Sequence, residues 1–415
     1  MKRIYLDYAA TRPLRPAAAA AMEEAERTAW GNASAVYSAG LEAKRVLETA
    51  RETLAASIGA KRGEIYFTSG GTEADNWALI SAAEEAECVL RKRMPGVAPH
   101  IVTTAVEHHA VLRSCEYLER RGFELTVLPV DRSGLVSPEA VRAALRPNTC
   151  LVSVMAVNNE IGTIEPAEEI GAVLAAYNEA ERGLGGKRGE RGPERLPVLF
   201  HVDAVQAYGR RRLPACDLLS VSAHKLGGPK GIGFLYIRDG LRAGAFLHGG
   251  MQERGRRAGT ENVPAAAGFA AAVRETMASA GEAAARERAL RELLWEEIRR
   301  GVPEAVLNGA PLEGDLRTEN NLNLSIPGVE AETLLILLDM EGICASGGSA
   351  CTTGATEPSH VLTAIGAGAR RAKGALRFTL GEETTKGEIR AAASAVCRTA
   401  RRLLDRRAGG DGIMY

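Results

Sequence analysis

Neither sign of charge is in surplus in this chain: Lys and Arg together number 52, Asp and Glu 52, and the formal net charge is zero. There is no overall field to draw in nucleic acid or an anionic membrane surface, so we expect a partner of neither kind. Long apolar runs are lacking too. No stretch approaches the roughly 18 consecutive apolar residues of a membrane-crossing helix. At the N-terminus, MKRIYLDYAATRP sets Asp7, Arg12 and Pro13 where a secretory signal needs an apolar run. Cysteine is sparse: seven residues, at 88, 115, 150, 216, 344, 351 and 397, odd in number and without a C-x-x-C spacing. That pattern argues against a disulfide framework or a zinc site and predicts free thiols in a reducing compartment. With 46% hydrophobic and 25% charged residues, the composition is that of an ordinary globular chain. A cytoplasmic enzyme of two or three domains is expected.

What is present is an alternation. From about residue 64 to 238, short β-branched runs alternate with helical stretches: EIYF (64–67), HIVTTAV (100–106), ELTVLPV (124–130), CLVSVMAV (150–157), VLFHVD (198–203), LLSVSAH (218–224) and GFLYIR (233–238). This predicts an α/β fold, with a mostly parallel seven-stranded sheet covered by helices on both faces. Functional groups in such sheets gather at the carboxyl ends of the strands. An Ala-rich stretch from about 263 to 300 reads as one long helix. Beyond it, NLNLSI (321–326) and ALRFTL (375–380) read as strands of a smaller α+β unit, and Thr385 with Glu388 as a capping box for a last helix. We divide the chain into a large domain, 16–262, and a small domain, 263–415, joined by the segment 1–15. NEAERGLGGKRGERGPER (178–195), rich in glycine and charge, cannot bury apolar surface and is expected to be a surface loop.

The strongest chemical signal is VSAHKLGGPKGIGFLYI (221–237). A lysine directly after a strand, among small residues and glycines, is held with little freedom and suits a Schiff base with an aldehyde cofactor. A lone lysine at such a junction is more often a surface residue; its neighbours decide otherwise. HVDAVQ (201–206) puts Asp203 at the end of the preceding strand, where a buried carboxylate can keep a pyridine nitrogen protonated. FTSGGTEADN (67–76) joins a strand to a helix through glycines that allow free N–H groups to meet a phosphate. Ser222 and His224, on either side of the lysine's approach, could add donors.

Taken in order, YLDYAAT (5–11), GNAS (31–34), FTSGGTEADN, EHHAVL (107–112), VNNEIG (157–162), HVDAVQ, SAHKLGGPKG (222–231), RRAGTEN (256–262), SGGSACTTG (346–354) and RFTLG (377–381) resemble the cysteine desulfurases. These are fold-type I pyridoxal-phosphate (PLP) enzymes of the class V aminotransferase superfamily. The likeness runs from residue 5 to about 400. It implies that the large domain binds PLP, that Lys225 carries the cofactor, and that Asp203 pairs with its ring nitrogen. It further implies that Gln206 and Asn159 bond its phenolic oxygen and that His108 stacks on the ring and moves protons. Gly71, Thr72, Ser222 and His224 would hold the phosphate, with Thr260 reaching over from the partner of a homodimer. Arg377 would pair with the carboxylate of L-cysteine, with Asn32 nearby.

Cys351, in ASGGSACTTGATEPS (345–359), lies among glycines and small hydroxyl residues, where a thiol can act as a nucleophile; most cysteines are instead buried or bystanders, as we read the other six. By the resemblance it receives the sulfur as a persulfide, for a sulfur-acceptor or iron–sulfur scaffold protein or a tRNA-thiolation pathway. No metal is implied. Three positions depart from the family pattern: Tyr37 for a histidine, Ala33 for a proline and Arg12 for a threonine, all near the family's substrate entrance. The alternative readings are a selenocysteine lyase or another PLP lyase on the same fold, a transaminase, and a non-catalytic assembly partner.

Overall fold

The computed structural model describes residues 3–183, 197–347 and 358–408. The seven expected runs pair edge to edge in the order Ile65–Thr68, Gly233–Ile237, Leu218–Ser222, Leu199–Asp203, Thr149–Met155, His100–Thr104 and Glu124–Leu128. Gly233–Ile237 runs antiparallel to both neighbours, and the remaining pairings are parallel. The expected α/β class and mostly parallel seven-stranded sheet are borne out. Thr149–Met155 and Leu218–Ser222 are buried along their whole length, as parallel strands covered on both faces require. One face packs Trp77, Leu79 and Ala83 of the helix Gly71–Arg93 against Leu151, Leu218 and Leu235. The opposite face packs Leu47 and Leu54 of the helix Ser38–Ser57 and Phe269 of the helix Val263–Gly301 against Val152, Val202 and Phe234.

The helix Val263–Gly301 belongs to two cores. Its first half, with Ala266, Phe269 and Val273, packs on the large sheet. Its second half, with Leu290, Leu294 and Ile298, packs on Leu322, Leu324 and Phe378 of a four-stranded sheet ordered Ser346–Gly347, Ala375–Thr379, Asn321–Ser325 and Val306–Leu307. The last helix, Lys386–Ala408, joins this smaller core through Ile389, Ala392 and Val396. Its start is fixed reciprocally: Thr385 N–H donates to Glu388 Oε2 (2.9 Å) and Glu388 N–H to Thr385 Oγ1 (3.2 Å). At the N-terminus, Ile4–Tyr5 pairs with Ile343–Cys344 and Leu6 is buried in the small core, so residues 7–11 are carried across to the large sheet. The expected loop at 178–195 begins later than its composition indicated. The helix Ala167–Gly183 runs through its first six residues, where Asn178 exchanges two hydrogen bonds with the backbone of Val198. Residues 184–195 lie outside the described residues.

A short turn beside the sheet is held under strain. Glu253 and Arg254 both adopt left-handed backbone conformations, with φ of 44° and 59°, costing on the order of 1–3 kcal/mol each. The buried Glu253 carboxylate takes both ends of the buried Arg51 guanidinium (2.7 and 2.9 Å) and the Phe67 N–H (3.0 Å). Arg254 donates to the Ile65 carbonyl (2.7 Å) and stacks on Tyr66 at 3.8 Å. Removing the carboxylate takes the two-pronged partner from the buried Arg51 cation and leaves it only the Glu48 carboxylate, at 3.2 Å from Nε. Glu253→Ala is therefore expected to destabilise the protein by about 3–5 kcal/mol, read as a fall in the denaturation midpoint in urea. A midpoint unchanged from the parent would show that the pair contributes nothing.

Candidate active site

At the carboxyl ends of the parallel strands, a cavity of about 390 Å³ opens between the sheet and residues 9–10. Lys225 stands on its wall. It follows the strand Leu218–Ser222 within one 3-10 turn, Ala223–Leu226, which Gly227 ends in a left-handed conformation (φ 84°). Its ammonium donates to the carbonyls of Ala9 (2.7 Å) and Ala10 (2.8 Å), and Gln206 Nε2 donates to Ala9 as well (3.0 Å). The N-terminal segment is thus part of the cavity.

Asp203 ends the strand Leu199–Asp203 on the same cavity, with Oδ1 accepting from Val205 N–H (2.9 Å). Burial raises its carboxyl to about 6, against the pull of Lys225. Two further buried carboxylates surround it. Asp75 has an oxygen without a hydrogen-bond partner among the described residues and lies 3.6 Å from His201 Nε2. Glu107 accepts from Thr104 Oγ1 (2.7 Å) and Met155 N–H (3.0 Å) through one oxygen and has no partner for the other. Burial, then the charge of Asp203, raises the pKa of Asp75, and burial is the largest cause of the rise at Glu107.

In the turn before the helix Gly71–Arg93, the backbone is shaped for a compact anion. Gly70 has φ 154° and ψ −174°, a region that is essentially glycine's alone, and Gly71 opens the helix Gly71–Arg93. A Cβ on Gly71 would come within 2.6 Å of Val205 Cγ2. Thr72, Ser222 and His224 line the same end. Burial, then Lys225 and Lys230, lower His224 to about 4; its Nδ1 lies 3.1 Å from Thr11 Oγ1.

Arg377 reaches the cavity from the small sheet. It donates to the Asn159 carbonyl (2.8 Å) and to Asp7 Oδ1 (2.7 Å), and is itself buried. His108 caps the helix His109–Arg120: Nδ1 accepts from Ala110 N–H (3.1 Å), which leaves the ring proton on Nε2. Burial, then Lys225 and His109, lower its pKa to about 4.

The structure brings Lys225, Asp203, Gln206, Asn159, His108, Gly71, Thr72, Ser222, His224 and Arg377 to this one cavity. Asn32 and Thr260 lie elsewhere. Asn32 is exposed and closes its own turn by accepting from Ser34 N–H (2.9 Å). Thr260 is exposed at the edge of a separate cavity of about 220 Å³, beside Arg257 and Ser69. Cys351 lies outside the described residues. None of the three departures is among the residues that line the cavity. Arg12 is buried within 3.9 Å of Glu287 and 3.7 Å of Glu382, whose charges draw it away to the junction of the two cores. A larger open groove of about 600 Å³, between residues 131–138 and Leu316, carries none of the expected site residues.

The aminotransferase class-V family model matches residues 4–180 and 193–391. This chain belongs to the class-V aminotransferase family. Among its relatives in that family, a cysteine desulfurase IscS of Dictyoglomus turgidum is 42% identical over 394 residues, covering 94% of this chain and 92% of that protein. One of Methanosarcina thermophila is 43% identical, covering 94% and 89%. A solved NifS-like protein superposes with a TM-score of 0.84 at 34% identity, covering 96% of this chain and 100% of that one. SspA in complex with cysteine does so at 0.73 and 32%, covering 92% and 99%.

Several residues in or beside the cavity carried no separate signal in the sequence. Asp75, which lines it, and the buried Glu107 sit inside motifs read for their glycines and histidines. Their burial is a property of the helix and strand they face, which local sequence does not display. Glu160 lines the wall, accepts from Ser359 Oγ, and is raised to about 7 by burial. His360 and His109 stack with ring centroids 4.6 Å apart. The second histidine of EHH and the histidine of EPSH are the sequence signal for this pair.

Proposed function

We propose that this chain is a PLP-dependent cysteine desulfurase, which takes sulfur from L-cysteine, forms L-alanine and carries the sulfur as a persulfide on Cys351. The observation that carries the reading is the meeting of Lys225, the buried Asp203 carboxylate and the Arg377 guanidinium in one cavity. The donor set fits PLP. An amine and a carboxylate stand at the ends of two strands, and a glycine turn with hydroxyl and imidazole groups lines the same cavity. Lys225 would hold the aldehyde carbon, Asp203 the pyridine nitrogen, and Gly71, Thr72, Ser222 and His224 the phosphate. Gln206 and Asn159 would bond the phenolic oxygen. When bound, the cofactor supplies an electron sink for the pair released at the α-carbon.

The chain's own residues do the rest. Lys225, once freed, takes the α-proton, and the Nε2–H of His108 is a donor rather than an acceptor at this cavity. Arg377 holds the substrate carboxylate. The Cys351 thiolate attacks the substrate sulfur. An S–S bond forms, the C–S bond breaks with its pair going to the three-carbon fragment, and protonation gives alanine. A homodimer would bring Thr260 of one subunit to the phosphate of the other, and a sulfur-acceptor protein, an iron–sulfur scaffold or a tRNA-thiolating enzyme, would empty Cys351. The selenocysteine-lyase reading is not favoured, because the similar proteins carry the name cysteine desulfurase.

Arg377 provides the test. A lysine keeps the charge and loses the planar fork, so Arg377→Lys is expected to raise KM for L-cysteine roughly ten- to hundredfold, the worth of one charge-assisted hydrogen bond. Alanine formation against cysteine concentration measures it. An unchanged KM would remove Arg377 from substrate binding.

A further inference from the structure

Two imidazoles at this cavity have their tautomers set by a backbone group that can play one role alone. His108 Nδ1 accepts from Ala110 N–H, so that ring offers the cavity a donor. His360 is the reverse case. Its Nε2 lies 2.9 Å from the Glu107 carbonyl oxygen, which can only accept, so Nε2 carries the proton and Nδ1 the lone pair. Among the described residues Nδ1 has no hydrogen-bond partner, on a ring that lines the cavity and packs on His109.

We propose that His360 Nδ1 is the base that takes the proton given up by the thiol of L-cysteine as its sulfur is transferred. The inference rests on the desulfurase reading. In the step, the S–H bond breaks, its electron pair stays on sulfur and the proton passes to Nδ1. No oxidant or reductant is consumed. A cysteine thiol has a pKa of about 8.5, so near neutral pH nearly all of it enters protonated and the proton needs an acceptor.

The surroundings suit a neutral base. Burial, the largest influence, together with His109, His108 and Arg113, lowers the pKa of His360, while the Glu107 carbonyl raises it. The Glu107 carboxyl is bound by Thr104 Oγ1 and Met155 N–H, and Glu160 by the neighbouring Ser359. Across the cavity, Lys225 and Arg377 favour the thiolate that the transfer leaves. His360 is unprotonated at neutral pH, and its base form is lost only as pH falls through its depressed pKa.

His360→Gln separates this role from a structural one, because the amide can still donate to the Glu107 carbonyl but cannot accept the proton. The expected result is a kcat for alanine formation lower by roughly a hundredfold near pH 7, the lower end of general-base effects. The deficit should narrow to less than tenfold near about pH 9, where the thiol ionises unaided. The cofactor's absorbance should match that of the unaltered enzyme. An equal deficit at both pH values, or none at either, would overturn the assignment. Should the glutamine variant fail to fold, His360→Ala with added imidazole takes its place: recovery of rate supports the base and no recovery opposes it. Failure of the unaltered enzyme to make alanine would instead sink the desulfurase reading and leave His360 out of account.

Discussion

Replacing Cys351 by alanine is expected to lower alanine formation from L-cysteine by on the order of 10³-fold or more, while the cofactor stays bound with an unaltered spectrum. Lys225, Asp203 and Arg377 account for binding an amino acid and removing its α-proton, but none of them can accept sulfur. The neighbouring thiol is no substitute. Cys344 lies in the two-residue strand Ile343–Cys344 that pairs with Ile4–Tyr5, and burial raises its pKa, so it holds its proton. Cys344→Ala should therefore stay active. Alanine production by the two variants, measured side by side, checks both expectations. Alanine at the normal rate from Cys351→Ala would mean that sulfur leaves without a covalent carrier, and a lyase expelling it directly would become the better reading.

Lys225→Ala is the second change with a large expected effect. The side chain is fixed at the end of its strand by the Ala9 and Ala10 carbonyls, and its amine faces the cavity that ends on Asp203. Without it there is no covalent link to the cofactor and no base at the α-carbon, so turnover should fall by on the order of 10³-fold or more. The purified parent should be yellow, and borohydride should fix the cofactor to Lys225. The variant should yield no reducible lysine adduct. A reducible adduct elsewhere in Lys225→Ala would move the cofactor site.

The fold was legible in the sequence because the large sheet is parallel. Its inner strands are buried on both sides, so they appear as short, mostly apolar runs such as CLVSVMAV, and the helices between them keep their own period. Pairing partners were not legible: Gly233–Ile237 turns antiparallel between Ile65–Thr68 and Leu218–Ser222, which no local pattern announces. Composition misplaced the start of the 178–195 segment, since Asn178 is anchored to Val198 by contacts made only after folding.

At the site, ten of the expected positions fall on one cavity; most follow the end of a strand or open a helix, where sequence and topology agree, whereas Arg377 reaches it from the middle of the strand Ala375–Thr379. The polar layer beneath them was hidden. His201, Ser153 and Ser220 make a closed set of bonds under Asp203, with His201 lowered to about 3 by burial, and they look like any strand residues until the neighbouring strands are in register. The surroundings of Arg12 were hidden as well: its N–H donates to the carbonyl of the cavity residue His224 (3.1 Å), while its guanidinium lies within 3.9 Å of Glu287 and 3.7 Å of Glu382.

The account stands most directly on where the sulfur goes. A single addition of L-cysteine to the cofactor-loaded enzyme, without reductant or acceptor, followed by quantification of alanine and mass spectrometry of the digested protein, measures it. The predicted result is about one alanine per subunit, with the mass of one added sulfur atom on the peptide that contains Cys351 and on no other. Continued release of alanine and free sulfide, with the Cys351 peptide unmodified, would contradict it.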